Sequence, residues 1–188
     1  MMINFKKAFL LGLLGAVTFS SCTKDEEDKA TAAVTEFPQE LLIDETRYEL
    51  GDGFIISYGT STDYQGTNLD LNLITSGIDV IYDANGLPDS ATGAGFIMYL
   101  EMYSADSTAL TAGTYTMDTT AGGNLLTISD GAVFSSGMAA EIEYEFVSGS
   151  IEVVLENGVY SLAGSFMELG GKEITLSYQR SIAVLEGE

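Results

Sequence analysis

The sequence of 188 residues contains no histidine, no tryptophan and a single cysteine, Cys22. Without histidine, the chain cannot pair a nucleophile with an imidazole base, and metal centres built on histidine or on several thiolates are excluded. One cysteine cannot form an internal disulfide, so the fold is not held together by disulfide bonds. The familiar triad hydrolases and zinc proteins are therefore not expected.

Basic residues are also scarce, with 7 Lys and Arg against 28 Asp and Glu and a net charge of −21. Residues 1–21 carry Lys6 and Lys7 and no acid, so the net charge becomes −23 from Cys22 onward. Nucleic acid and anionic membrane surfaces both require clustered Lys and Arg, and neither is expected as a partner. The charge favours a soluble, self-repelling surface, with cation binding as the alternative.

No apolar run reaches the roughly 20 residues that a membrane-spanning helix requires. The run Ala8–Phe19 follows two lysines and ends at two serines directly before Cys22. This arrangement predicts a secretion signal over residues 1–21, with an uncleaved transmembrane helix as the alternative. It resembles the signal peptides of bacterial lipoproteins, which are cut before an acylated cysteine. The resemblance implies lipidation of Cys22; an ordinary secreted protein is the other interpretation.

Residues 22–36 are rich in charge, Ala and Thr, which predicts a flexible tether. The run behind Cys22 includes Lys24, Asp25, Glu26, Glu27 and Asp28. It resembles the surface-export signal of Bacteroidetes lipoproteins. The resemblance implies an outer-membrane, lipid-anchored protein whose domain faces the cell exterior, and a domain that faces the periplasm is the alternative.

Glycine is frequent and proline rare, 21 against 2. From about Leu41 onward apolar residues alternate with polar ones, and turn residues recur about every 8–12 positions, which predicts one all-β domain over residues 37–188. In residues 68–73 three leucines alternate with Asn68, Asp70 and Asn72, so the leucines are expected to face the core. Because the strand spacing in the first half is irregular, an antiparallel sandwich of roughly ten strands is expected, with a closed barrel as the alternative.

The last fifty residues predict a four-stranded antiparallel meander. Strands are expected near 139–147, 150–156, 158–168 and 172–182, separated by Ser148-Gly149, Asn157-Gly158 and Gly170-Gly171, because Asn-Gly and Gly-Gly supply the positive φ of short hairpins. Residues 113–182 also resemble uncharacterised Bacteroidetes lipoproteins, through segments such as Gly-Val-Tyr-Ser-Leu-Ala-Gly at 158–164. This resemblance implies a family context for the fold and carries no catalytic residue across.

A strand over residues 97–103 places Tyr99, Glu101 and Tyr103 on one face and three apolar side chains on the other. If the apolar face is core, the opposite face is an aromatic ridge with a carboxylate. Sugars stack on aromatic rings and donate hydroxyl hydrogen bonds to acids, so these residues are candidates for binding glycan. The alternative is that the tyrosines pack within the core or over a neighbouring strand.

The segment 79–89 offers four oxygen-bearing side chains, from Asp79, Asp83, Asn85 and Asp89. Calcium prefers such ligands, but the spacing is not that of an EF-hand loop. A calcium site is one interpretation and a turn stabilised by Asp and Asn is the other. No other cofactor is expected.

Three Asp-Ser or Asp-Thr pairs resemble the O-glycosylation consensus of Bacteroidetes. The acceptor positions are Ser90, Ser107 and Thr119. The resemblance implies modification at these hydroxyls, although pairs of this kind also arise by chance in a chain rich in Ser and Thr.

Taken together, these features favour a non-enzymatic surface lipoprotein that binds or adheres, with extracellular glycan or a surface protein as its partner. A structural envelope component without a small-molecule ligand is the alternative. A glycoside hydrolase is a third class and would require two carboxylates that converge in a pocket.

Overall fold

A computed structural model of the chain describes residues 37–62, 64–120 and 123–187, and within these ranges every regular element is a β-strand. The strands are β1 (Glu40–Ile43), β2 (Thr46–Thr60), β3 (Thr67–Thr75), β4 (Ile78–Tyr82), β5 (Pro88–Gly93), β6 (Gly95–Ser104), β7 (Gly113–Met117), β8 (Thr127–Ser136), β9 (Glu143–Glu156), β10 (Val159–Glu168), β11 (Glu173–Arg180) and β12 (Ala183–Glu186). The described ranges contain no helix that could cross a membrane.

Nine strands close into a barrel in the order β1-β11-β10-β9-β7-β8-β6-β3-β2. The closing strand is β1, which pairs antiparallel with both β11 and β2. The predicted all-β class is confirmed, but the sandwich is wrong and its barrel alternative is correct. The irregular spacing in the first half has another cause: β3 and β6 pair directly, and the hairpin β4–β5 between them leaves the barrel.

The barrel interior is filled by alternating side chains. Leu69, Leu71 and Leu73 are at most 1% exposed, as their alternation with polar residues predicts. On β6 the apolar face, including Met98 and Leu100, is equally buried, so this face is core. A barrel of about this strand number encloses either packed side chains or one small ligand, and here the buried side chains of the core cluster occupy the interior.

The C-terminal meander has three strands, not four. The predicted turn at Ser148-Gly149 does not form, because β9 runs through it from Glu143 to Glu156. Gly149 keeps a positive φ of 141° inside the strand, where a Cβ would lie 2.6 Å from the ring of Phe166. The Asn157-Gly158 turn between β9 and β10 is confirmed, with φ values of 52° and 78°.

The hairpin β4–β5 lies over the outer face of the barrel. A second apolar cluster there joins Phe54, Ile74 and Ile78 and is separate from the barrel core. At the hairpin base the backbones approach closely, and a Cβ on Gly93 would collide with the carbonyl oxygen of Gly77. The hairpin is thus fixed at its base by backbone packing that only glycine allows.

Candidate functional site

The outer face of β2, β3, β6 and β8 is built from transverse rows of side chains, since residues directly opposite on paired strands share a face. Three successive rows are an apolar row (Ile74, Ile97, Phe134), an amide-aromatic row (Phe54, Asn72, Tyr99) and an acidic row (Asp70, Glu101, Asp130). The hairpin lies over the apolar end of this face. Across β3, β6 and β8 the surface therefore changes from apolar to strongly polar along the strands. On β2 the order is reversed, with Asp52 opposite Ile74 and Ile56 opposite Asp70.

The acidic row is organised around Glu101. This carboxylate accepts hydrogen bonds from Asn68 Nδ2 at 2.7 Å and from the Tyr103 hydroxyl at 2.9 Å, both through Oε1. On β3, Asp70 lies directly opposite Glu101, and on β8 so does Asp130. Two donors thus hold Glu101 in a fixed position between two further carboxyl groups.

Asp70 is the perturbed member of the row. Burial, followed by repulsion from Glu101, raises its pKa to about 7, although the hydroxyls of Tyr99 and Tyr58 act in the opposite direction. Neither hydroxyl donates to Asp70 Oδ1, which is buried without a hydrogen-bond partner among the described residues. At neutral pH this carboxyl is therefore shared between its protonated and charged forms.

Tyrosines surround these carboxyl groups. Tyr58 is 50% exposed, and burial together with Asp70 raises its pKa. Burial, then Asp70, also raises the pKa of Tyr99, so this hydroxyl stays protonated and can donate. The pKa of the Tyr103 hydroxyl is also raised, mainly by burial and further by the neighbouring Glu101. Neutral phenols beside acids form a surface with donors, acceptors and ring faces.

The predicted trio of Tyr99, Glu101 and Tyr103 is thus found on one strand face, but its members differ in exposure. Tyr99 and Glu101 are half-buried, whereas Tyr103 is only 2% exposed. The ring of Tyr64, from the loop after β2, covers Tyr103 with a centroid distance of 5.0 Å. Tyr103 therefore supports Glu101 and does not form part of an exposed ridge.

Sequence reasoning placed Asp70 and Asn68 on an outward face but did not connect them with Glu101. The connection depends on the pairing of β3 with β6, strands that are separated in the sequence by the hairpin. Tyr58 was missed because β2 is irregular around it, with a register shift between Ser57 and Gly59. No local sequence pattern predicts the pairing of β3 with β6 or the register shift in β2.

A groove runs between the hairpin and the barrel. Its volume is about 230 Å³, and its floor includes Asn72, Ile97 and Phe134. Strand β5 supplies the opposite wall, with Pro88 and Ala91 among its residues. Asn72 belongs both to this groove and to the amide-aromatic row, so the groove continues onto the polar face.

The neighbouring carboxyl groups of Asp70 and Glu101 can be compared with the paired carboxyl groups of glycoside hydrolases. Retaining enzymes hold their carboxyl groups about 5–5.5 Å apart, which is near the spacing of opposite residues on paired strands. Asp70 and Glu101, however, lie side by side on one outward face, and neither lines the groove beneath the hairpin. The arrangement can accept hydrogen bonds from a ligand more readily than it can enclose a glycosidic bond.

The four residues predicted to hold calcium lie along the hairpin. Asp83 Oδ1 accepts the backbone N–H groups of Asn85 and Leu87 at 2.8 and 2.9 Å, which stabilises the hairpin turn. Asp79 lies on β4 and Asp89 on β5. Within the described ranges no three acidic side chains are arranged to hold a metal ion. Calcium binding stays a prediction, and the turn accounts for Asp83 without it.

The three predicted modification sites are all exposed. Ser90 lies on β5. Ser107 and Thr119 lie in two turns of the same kind, in which the preceding aspartate accepts the N–H and the hydroxyl of the residue two positions later, at 2.8–2.9 Å. Each turn leaves its central hydroxyl facing solvent, so O-glycosylation stays a prediction with accessible acceptors.

Cys22 and the export run at residues 24–28 lie outside the described residues. No protein-family model matches the chain, and neither a curated protein nor a solved structure gives a significant match.

Proposed function

We propose that this chain is a lipid-anchored surface protein that binds extracellular glycan, without catalysis, through the outer face of its barrel. The observation that carries the proposal is the amide-aromatic row beside the acidic row, which sets Tyr99 next to Asp70 and Glu101. Tyr58, on β2, also lies beside Asp70. Aromatic rings pack against the C–H faces of sugars, and carboxylates and amides bond their hydroxyls.

Unused acceptors on this face support the proposal. Asp70 Oδ1 and Asn68 Oδ1 are buried and have no hydrogen-bond partner among the described residues. An acceptor left in this state costs about 1–3 kcal/mol, so a ligand that supplies a donor there gains affinity. Sugar hydroxyls are such donors. The half-exposed Tyr58 is the side chain beside Asp70 whose rotation would admit them.

The shape of the domain also favours binding over a purely structural role. A structural envelope component is expected to have a uniformly acidic surface without concavity. Here the filled barrel has a groove beneath its hairpin, and aromatic side chains adjoin it. Concave, largely apolar sites with a few polar groups are typical of ligand-binding sites.

Binding is tested by applying the full-length protein, in detergent micelles, to an array of bacterial and host glycans. We expect retention on a subset of glycans and its loss in Tyr99→Ala. The control is Leu169→Ala, which removes a 70% exposed apolar side chain that follows β10, outside the three rows and the hairpin. If no glycan is retained by a folded wild-type protein, the proposal is wrong and the structural role is favoured.

Hydrolysis is a second candidate because Asp70 and Glu101 are direct cross-strand neighbours, close to the carboxyl spacing of retaining enzymes. Any glycan that binds is incubated with the protein, and new reducing ends are measured. Hydrolysis predicts their release and its abolition in Glu101→Gln, whereas the proposed binding role predicts that no reducing ends appear.

The proposed localisation at the cell surface rests on Cys22 and on the export-type run that follows it. Protease treatment of intact host cells, followed by blotting, tests this part of the proposal. Outward display predicts loss of the protein while a known periplasmic lipoprotein survives. Protection of both proteins would instead place the domain in the periplasm.

A further inference from the structure

The groove beneath the hairpin differs in chemistry from the polar face that it adjoins. Its floor carries Ile97 and Phe134 of the apolar row, and Val80 and Ala91 of the hairpin line it from above. Asn72 is the amide among these residues. A volume of about 230 Å³ with this lining suits a small apolar group that carries a hydrogen-bonding amide.

Asn72 joins the groove to the candidate glycan surface. On β3 it lies two residues from Asp70, a separation of about 7 Å along the strand. On β6 its direct neighbour is Tyr99. A ligand that contacts Tyr99 and Asp70 can therefore place one substituent in the groove.

The negative charge around the groove further restricts the class of ligand that can bind. Asp70, Glu101 and Asp130 face one side of Asn72, and Asp89 lines the groove on the other. The basic side chains of the described residues are engaged elsewhere, since Arg47 pairs with Glu40 and Lys172 with Asp44, while Arg180 bonds Gly51 O. A sugar with a carboxylate or sulfate would meet repulsion on both sides.

We propose that the ligand is an uncharged oligosaccharide of N-acetylated amino sugars. This inference rests on the proposed function and names the ligand class for the same surface. A sugar ring contacts Tyr99, and its hydroxyls bond Asp70 and Glu101. The acetamido group enters the groove, where its methyl packs against Ile97 and Phe134 and its amide bonds Asn72.

A comparison of two trisaccharides tests the contribution of the acetamido group to binding. Triacetylchitotriose and cellotriose share the same β-1,4-linked backbone and differ only in carrying an acetamido or a hydroxyl group at C2. Calorimetric titration of the full-length protein in detergent micelles should show triacetylchitotriose binding about tenfold more tightly, from one buried methyl and one added hydrogen bond. Phe134→Ala should remove most of this preference and leave cellotriose binding nearly unchanged.

The control variant is Val154→Ala, an apolar truncation at a 36% exposed position of β9 outside the three rows. It should leave both affinities unchanged, and thermal melts verify that each variant is folded. Equal binding of the two trisaccharides would overturn the inference while the proposed glycan binding stands. Tighter binding of an acidic glycan on the array would overturn it as well. If no glycan binds at all, both proposals fail together.

Discussion

The raised pKa of Asp70 gives a direct test of the acidic row through the substitution Asp70→Asn. Asparagine has the shape of aspartic acid and cannot ionise. If the carboxyl were fully shielded from solvent, the difference between its ordinary pKa of 3.8 and its pKa of about 7 in the fold would correspond to about 4 kcal/mol of folding free energy. Because the side chain keeps partial contact with solvent, we expect an effect on stability of about 2 kcal/mol.

The sign follows from proton binding. The folded protein holds the proton on Asp70 more tightly than the unfolded chain does, so this contribution to stability is complete below about pH 4. It is lost as the pH rises through about 7, when the fold must hold a charge beside Glu101. Asp70→Asn avoids that loss. The variant should therefore be more stable than the wild type at pH 8, and the difference should shrink at pH 5.

Thermal or urea unfolding at pH 5 and pH 8, at constant ionic strength, measures this difference. For a domain of this size about 2 kcal/mol corresponds to about 4–8 °C in Tm at pH 8. Glu152→Gln is the control, because it makes the same carboxyl-to-amide change at an exposed position whose cross-strand neighbours are Ala163 and Thr114. An equal effect of Asp70→Asn at both pH values would refute the proposed coupling in the acidic row.

Three further outcomes are expected. In urea unfolding, Gly93→Ala should destabilise the protein by at least 2 kcal/mol more than Gly86→Ala. Both glycines have positive φ, but only at Gly93 would an added Cβ collide with backbone atoms. Equal losses of stability would show that the hairpin base is not tightly packed. Leu100→Ala, in the barrel core, should cost about 2–5 kcal/mol by the same measurement, and a loss below 1 kcal/mol would argue against a filled interior. Cys22→Ser should abolish labelling by palmitate in the native host, and retained label would contradict lipidation at this residue.

Local patterns in the sequence predicted the elements of the fold well. The alternation over residues 68–73 places Leu69, Leu71 and Leu73 in the core because a strand repeats every two residues. The Asn157-Gly158 turn was predicted for a comparable reason, since its positive φ values suit this pair. Both predictions depend on interactions between near neighbours in the chain.

Predictions that depend on distant contacts were less successful. Barrel closure requires β1, a strand of four residues, to pair with β2 and β11, and β11 lies more than 120 residues away in the chain. Gly149 was assigned to a turn because glycine often marks one, whereas here it allows Phe166 to pack closely against a continuous strand. For the same reason the sequence pointed to Tyr99 and Glu101 on β6 but did not join Asp70 to them, since only the pairing of β3 with β6 brings Asp70 to Glu101.

The hairpin β4–β5 contributes no strand to the closed barrel, since β3 and β6 pair with each other directly. Residues 78–92, between the two glycines of the hairpin base, can therefore change in length and chemistry while barrel closure is preserved, provided that the apolar row stays covered. One wall of the groove would change with them, and the acidic row would not. On the proposed function, a library that varies only residues 88–92 of β5 would redirect ligand preference on an unchanged scaffold.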